Sequence, residues 1–160
     1  MAVQLSTITD CSGLSSSWIE FAELLQEYAQ QDLAQPQLST IWQDLKDLPK
    51  RYGPPIGGVV LLHIDGALAG CMAFTATKDD GCCELKRLFV RKAFRGLGYS
   101  PILLREAMLK AKEAGYVRGV LSTWPNNPKA LELYRSLGFV PMAAFKEDRG
   151  QDLLFLGQDL

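Results

Sequence analysis

The sequence is short of several things that would each carry a function. It has one histidine, His63, and four cysteines, Cys11, Cys71, Cys82 and Cys83, whose spacing matches no zinc pattern. No metal site is therefore expected. The thiols read as reduced and buried, with Cys82 and Cys83 on opposite faces of a strand. The longest apolar runs are strand-sized, and the first residues, MAVQLSTITD, lack the charged and hydrophobic regions of a signal peptide. An excess of charge of either sign is missing too. With 17 Lys and Arg against 18 Asp and Glu, the formal net charge is −1, which makes no electrostatic case for nucleic acid or an anionic membrane. Internal repeats and low-complexity segments are absent. The expectation is a cytoplasmic protein whose 160 residues form one domain, 1–160, large enough to bury roughly two-thirds of its unfolded surface.

What is present centres on Glu84 to Leu104, ELKRLFVRKAFRGLGYSPILL. Cys82 to Val90 is rich in aliphatic and aromatic side chains and reads as a buried strand. It runs through Lys86, Arg87, Arg91, Lys92 and Arg95 into the turn Arg95-Gly96-Leu97-Gly98, and a helix follows at once. Ile102, Leu103, Ala107, Met108 and Ala111 share one face of that helix, Pro101 suits its first turn and Gly115 its C-terminal end. Glycines at 96 and 98 let the backbone present several N–H groups at the positive end of the helix, which is a site for phosphate oxygens. A dinucleotide fingerprint would need a third glycine where Pro101 stands. The basic cluster is too short for a nucleic-acid patch and suits the phosphates of a nucleotide, although strand alternation lets only some of its side chains face them.

Elsewhere, Val3 to Thr9 reads as a strand, and Ser17-x-x-Glu20 offers a capping box to a helix with Trp18, Phe21, Ala22, Leu25 and Tyr28 on its apolar face. Glu20, Glu23 and Glu27 lie on another face, either as a solvated row or as an attraction for a cationic substrate. A loop over 30–39 precedes a short helix, Ile41 to Leu48, ended by Pro49. Gly58 to Ile64 and Ala67 to Ala76, joined by Asp65-Gly66, read as a hairpin with a type I′ turn. His63, beside that turn, reads as a surface or packing residue. After Gly115, Arg118 to Thr123 should be a strand parallel to Cys82–Val90, since a helical crossover joins them. Asn127 then caps a helix with Pro128 at its first position and Ala130, Leu133, Tyr134 and Leu137 on one face. The segments 139–145 and 152–156 read as a closing antiparallel pair.

Two of these segments together resemble the GCN5-related N-acetyltransferase (GNAT) family. Its turn signature, Arg/Gln-x-x-Gly-x-Gly/Ala, reads here Arg95-Gly96-Leu97-Gly98-Tyr99-Ser100, with serine in place of the last small residue. Its Asn-x-x-Ala-x-x-x-Tyr-x-x-x-Gly-Phe ending matches Asn127, Ala130, Tyr134, Gly138 and Phe139. The resemblance runs from about Gly57 to Val140. It implies an α/β fold: a mixed, mostly antiparallel central sheet of six to seven strands, helices on both faces, splayed between the parallel strands 82–90 and 118–123.

It also implies an enzyme that passes the acetyl group of acetyl-CoA directly to a primary amine, with a small molecule or peptide as acceptor and a homodimer as one common assembly. Backbone groups of Leu88, Phe89 and Val90 would then hold the pantetheine arm, with an N–H near Phe89 as oxyanion donor. N–H groups of Arg95, Gly96, Leu97, Gly98, Tyr99 and Ser100 would hold the pyrophosphate. Tyr134 stands where the family keeps its proton donor to the thiolate, or is plain core, and Asn127 caps its helix, bonds the cofactor, or does both. For a base, Glu84 opens the central strand. Alternation puts it on one face with Lys86, Leu88 and Val90, so it takes up the amine proton, pairs with Lys86, or leaves the task to water. The alternative function is a non-catalytic acyl-CoA sensor or partner-binding module on the same fold.

Overall fold

A computed structural model describes residues 1–33 and 35–160. Strand β1 (Val3–Thr7) and helix α1 (Ser16–Gln31) come first, then two short helices, α2 (Ile41–Asp44) and α3 (Leu48–Tyr52). Strands β2 (Gly58–Ile64), β3 (Ala67–Ala76) and β4 (Cys82–Val90) follow as a meander. The rest is α4 (Tyr99–Glu113), β5 (Arg118–Thr123), α5 (Pro128–Ser136), β6 (Val140–Pro141) and β7 (Leu154–Asp159). All seven strands belong to one sheet in the order β1-β2-β3-β4-β5-β7-β6, and β4 with β5 is its parallel pair. This is the mixed, mostly antiparallel architecture expected. The β2–β3 turn is as foreseen, with φ of 50° at Asp65 and 82° at Gly66.

Each face of the sheet carries its own core. On one, Leu103, Leu104, Ala107 and Ala111 of α4 pack with Val60, Met72, Leu85, Val90 and Leu121. On the other, Trp18, Phe21, Leu24 and Leu25 of α1 pack with Ile41, Tyr52, Val59, Leu61 and Phe89. At about 1.5–3 kcal/mol for each large apolar side chain removed from water, these two layers dominate the folding free energy.

Several local expectations give way. No Ser17 capping box forms: α1 starts at Ser16 after Ser15, whose hydroxyl bonds Asp10 Oδ1 at 2.8 Å, and Glu20 turns to His63 instead. Pro49 does not end a helix over 41–48 but sits in the first turn of α3, which Asp47 caps by accepting from Lys50 N at 3.3 Å. The loop expected over 30–39 includes residue 34, which lies outside the described residues. The closing pair is shorter on one side, because only Val140 and Pro141 pair with β7, and β7 inserts between β5 and β6. Among the thiols, Cys71, Cys82 and Cys83 are buried and free, whereas Cys11 is exposed.

The alternation assumed along β4 also breaks. Against β3 the register slips between Cys71 and Ala73, and Arg87 takes a φ of 65°, so β4 carries a bulge there. Cys83 and Leu85 face the α4 core before it, and Val90 faces that core after it, while Phe89 joins the α1 core. Glu84 and Lys86 are thereby on the opposite face from Leu88 and Val90. The bulge lies just past the end of the β4–β5 pairing. Cys82, Cys83 and Glu84 pair with Arg118, Gly119 and Val120, and from Leu85 onward β4 has no partner on that side.

Candidate active site

The opening between β4 and β5 leads in two directions. Toward α4 it widens into a cleft of about 860 Å³ whose lining includes Leu88, Phe89, Val90, Arg95, Gly96, Gly98, Tyr99, Ser100 and Asn127. Of the residues expected here only Leu97 is missing, its side chain 56% exposed. Gly96 and Gly98 have φ of 77° and 84°, and a Cβ built on either meets nothing within 4 Å. Among the described residues, the N–H groups of Gly96, Leu97 and Gly98 have no backbone acceptor, and those of the first turn of α4 have none within the helix.

The ladder decides which parts of β4 address this cleft. Arg91 N–H donates to Ala69 O at 2.8 Å, and Phe89 lies opposite Cys71 in the same register. The two-residue period of an antiparallel ladder turns the polar backbone of Phe89 toward β3 and that of Leu88 and Val90 into the opening. Val90 O already accepts from Arg95 Nε at 2.7 Å.

The basic cluster is largely spoken for by protein carboxylates. Arg95 reaches Asp32 at 3.0 Å and lies over the Phe89 ring at 5.5 Å, so its side chain fastens the turn to α1. Arg91 pairs with Glu23 and Glu27, and Arg87 is buried against Asp44 at 2.9 Å. The glutamate row of α1 thus forms intramolecular pairs, with Glu20 taking His63 at 2.7 Å.

In the other direction lies a smaller pocket of about 160 Å³, reached by Glu84, Lys86, Arg87, Thr123 and the Lys146–Gln151 region. Glu84, 5% exposed, accepts from Lys146 Nζ at 2.6 Å. Lys86, one of the partners the sequence offers it, makes no ion pair among the described residues. Behind Arg87, Tyr52 OH donates to Asp44 Oδ2 at 2.5 Å, and Arg87 donates to Tyr52 OH and to Thr40 Oγ1.

Tyr134, Asn127, Tyr28, Trp124 and Ala130 line both spaces and mark where they meet. Asn127 caps α5, its Oδ1 accepting from Ala130 N at 3.3 Å, which leaves its amide N–H₂ for the cleft. Tyr134 stacks edge-on with Phe139 at 6.1 Å, and its hydroxyl has no hydrogen-bond partner among the described residues. Burial, reinforced by Tyr28, pushes its phenol above the usual tyrosine range, so the group holds its proton at any working pH. Burial likewise raises the Cys83 thiol to about 12, which leaves it inert as a nucleophile.

Tyr28, Trp124 and Lys146 escaped sequence reasoning as site residues, and Lys86 stands out there only as part of the basic cluster or as a partner of Glu84. Tyr28 looked like one more apolar position of α1, and nothing around Lys146 distinguishes a loop lysine that reaches back 62 residues to Glu84.

Known proteins resemble this chain in sequence and in fold. The family described as Acetyltransferase (GNAT) family matches residues 18–139. An uncharacterized N-acetyltransferase of Schizosaccharomyces pombe is 35% identical over 122 residues, 75% of this chain and 74% of that protein. Human N-acetylaspartate synthetase is 34% identical over 102 residues, 63% of this chain but only 34% of its own length. Among solved structures, an acetyltransferase from Streptococcus agalactiae superposes with a TM-score of 0.75 at 18% identity, covering 99% of this chain and 98% of that one. The PaiA N-acetyltransferase of Thermoplasma acidophilum, solved in complex with coenzyme A, gives 0.72 at 17%, covering both chains completely (100% and 100%). The chain belongs to the GNAT family of acetyltransferases. It is an acyltransferase of the N-acetyltransferase type. No helix among the described residues is long and apolar enough to cross a membrane.

Proposed function

We propose that the protein, acting as one catalytic unit over 1–160, transfers acetyl from acetyl-CoA directly to a primary amine. The observation that carries this is the opening between β4 and β5, with an unencumbered glycine turn at one end and Tyr134 at its waist. The residues fit the group. The turn has empty space where side chains would otherwise stand, and it turns unpaired N–H groups and a helix N-terminus toward the cleft. Residues 96–100 hold the pyrophosphate, the backbone of Leu88 and Val90 the pantetheine arm, and the Asn127 amide a further polar atom. Arg95 contributes by fixing the turn to α1 and Phe89.

When bound, acetyl-CoA supplies an acetyl group already activated as a thioester. Around it, the N–H of Leu88 or Val90 serves the developing oxyanion, since Phe89's own is turned toward β3. Glu84 accepts the amine proton directly or through water on the oxygen that Lys146 leaves free. Tyr134 gives its proton to the departing sulfur and recovers one from solvent. The C–N bond forms as the C–S bond breaks, and one proton passes from amine to thiol. The buried thiols support the expected reducing, cytoplasmic setting.

Tyr134→Phe is the test. It should lower kcat about 10²- to 10⁴-fold on an amine that the parent acetylates, with acetyl-CoA affinity by calorimetry nearly unchanged. Equal rates would remove Tyr134 from the mechanism. Tight cofactor binding with no turnover on a broad amine panel would favour the sensor.

A further inference from the structure

The smaller pocket carries more charge than the transfer chemistry uses. Its positive groups are Lys86, Arg87, Lys146 and Arg149, and its negative ones Glu84 and Glu147. Lys146 is bound to Glu84 and Arg87 to Asp44, both within hydrogen-bond distance. Arg149 and Glu147 are both exposed and of opposite sign. Lys86 remains, a cation on the partly covered floor of the pocket without a hydrogen bond or ion pair among the described residues. Hydroxyls of Ser39, Thr40, Ser122 and Thr123 share the same wall. A buried charge is costly unless something pairs with it.

We propose that Lys86 pairs with a carboxylate of the acceptor, so that the acceptor is a free amino acid or a similarly small amino carboxylate. This rests on the transfer reading above. One unpaired positive charge matches a monoanion better than a phosphate dianion. The pocket is the smaller of the two spaces, about 160 Å³, and suits a small acceptor rather than a folded protein segment. The same geometry separates tasks within the pocket: Lys86 takes the anion, while Glu84, turned to Lys146, faces the amine end.

The state of Lys86 agrees. Its burial, and then repulsion from Arg87 and Lys146, outweigh the attraction of Glu84 and Asp44 and bring its ammonium down to about 7. A carboxylate placed beside it would raise that value again, so the pocket becomes charge-matched on loading.

The test measures binding and turnover separately. Each of the twenty amino acids and its α-carboxamide is titrated calorimetrically into the coenzyme A-loaded protein, and each is assayed for acetyl transfer. A charge-assisted contact of this kind predicts about a ten- to hundredfold preference for the carboxylate over its own amide. Lys86→Met should reduce that preference to near one, and Lys86→Arg should keep most of it, with melting temperatures recorded for both. A parent that binds acid and amide equally, or that prefers an aminoalkyl phosphonate to the matching carboxylate, overturns the assignment. A preference that survives in Lys86→Met also overturns it. Carboxylate preference without any turnover would sink the transfer reading and leave this site standing, whereas turnover without preference would do the reverse.

Discussion

On the α4 side of Tyr134 the opening offers mainly main-chain groups, namely the bend at 96–98, the backbone of Leu88, the N–H of Val90 and the first turn of α4, with Asp32, Arg95, Lys129 and Glu132 also in its lining. On the α2 side its lining includes ionisable side chains of β4 and of the segment after β6, with Glu84 held by Lys146 and Arg87 by Asp44 of α2 behind it. Under the proposed function the first half holds the diphosphate carrier through groups every residue possesses, and the second holds the acceptor through groups that one substitution removes. A fold can therefore keep one reactant fixed while the other varies. The two halves should fail in different ways when damaged.

The largest expected failure is in the side-chain half. Asp44, 7% exposed, is the counter-charge of Arg87, 9% exposed. Asp44→Ala leaves a guanidinium buried without its partner and should cost about 3–5 kcal/mol of stability in urea unfolding, while acetyl-CoA affinity in the surviving fold stays nearly the same. A loss below about 1 kcal/mol would mean that the pair is replaceable by water. The acid side gives the sign. Burial alone would raise this carboxyl, but the charges of Arg87 and Lys86, with hydrogen bonds from Tyr52 and Arg87, hold it below its ordinary 3.8. Its stabilisation is thus complete above that value and is lost as pH falls through the lower folded one. The gap between parent and variant should be constant from neutral pH down and narrow only below pH 3.8.

The main-chain half can be probed with a matched pair of glycines. Gly98 and Gly66 have φ of 84° and 82°, and a Cβ on either meets nothing within 4 Å. Valine at either position meets a similar backbone penalty of about 1–2 kcal/mol. Gly66→Val in the hairpin should lose stability alone. Gly98→Val escapes its strain by swinging the bend and its N–H groups out of line, and should lower acetyl-CoA affinity about ten- to thirtyfold. If both variants bind acetyl-CoA as the parent does, the bend is an ordinary connection, and the contrast between the halves disappears.

The same contrast governs what could be read from the chain. The strand, bend and helix of 82–113, the crossover to β5 and the Asn127 cap are written in neighbouring residues, because glycine, proline and hydrophobic period act over a few positions. The crossover by itself makes β4 and β5 parallel, whereas the splay between them is what the family resemblance implies. What went unread needed distance or a local irregularity. Alternation offers Glu84 the nearby Lys86 as one of its possible partners, but the loop after β6 brings Lys146 to it instead. Arg95 looked like a phosphate ligand, and its pairing with Asp32 depends on where α1 ends against the sheet. Pattern reasoning sees the period of a strand and not the residue that interrupts it.

The smallest effect belongs to the clamp between α1 and the end of β4, and it separates distance from energy. Arg91 meets Glu23 at 2.5 Å and Glu27 at 2.8 Å, contacts as short as the 2.9 Å between Arg87 and Asp44. Glu23, however, is 56% exposed, so water and salt already satisfy much of its charge. Glu23→Gln should cost less than about 1 kcal/mol, a cost that shrinks further at high ionic strength. It should also leave the KM for a cationic amine unchanged, because the glutamate row spends its charge on Arg91 and His63. A several-fold rise in that KM would instead make the row part of the acceptor's approach, and would extend the side-chain half of the opening across α1.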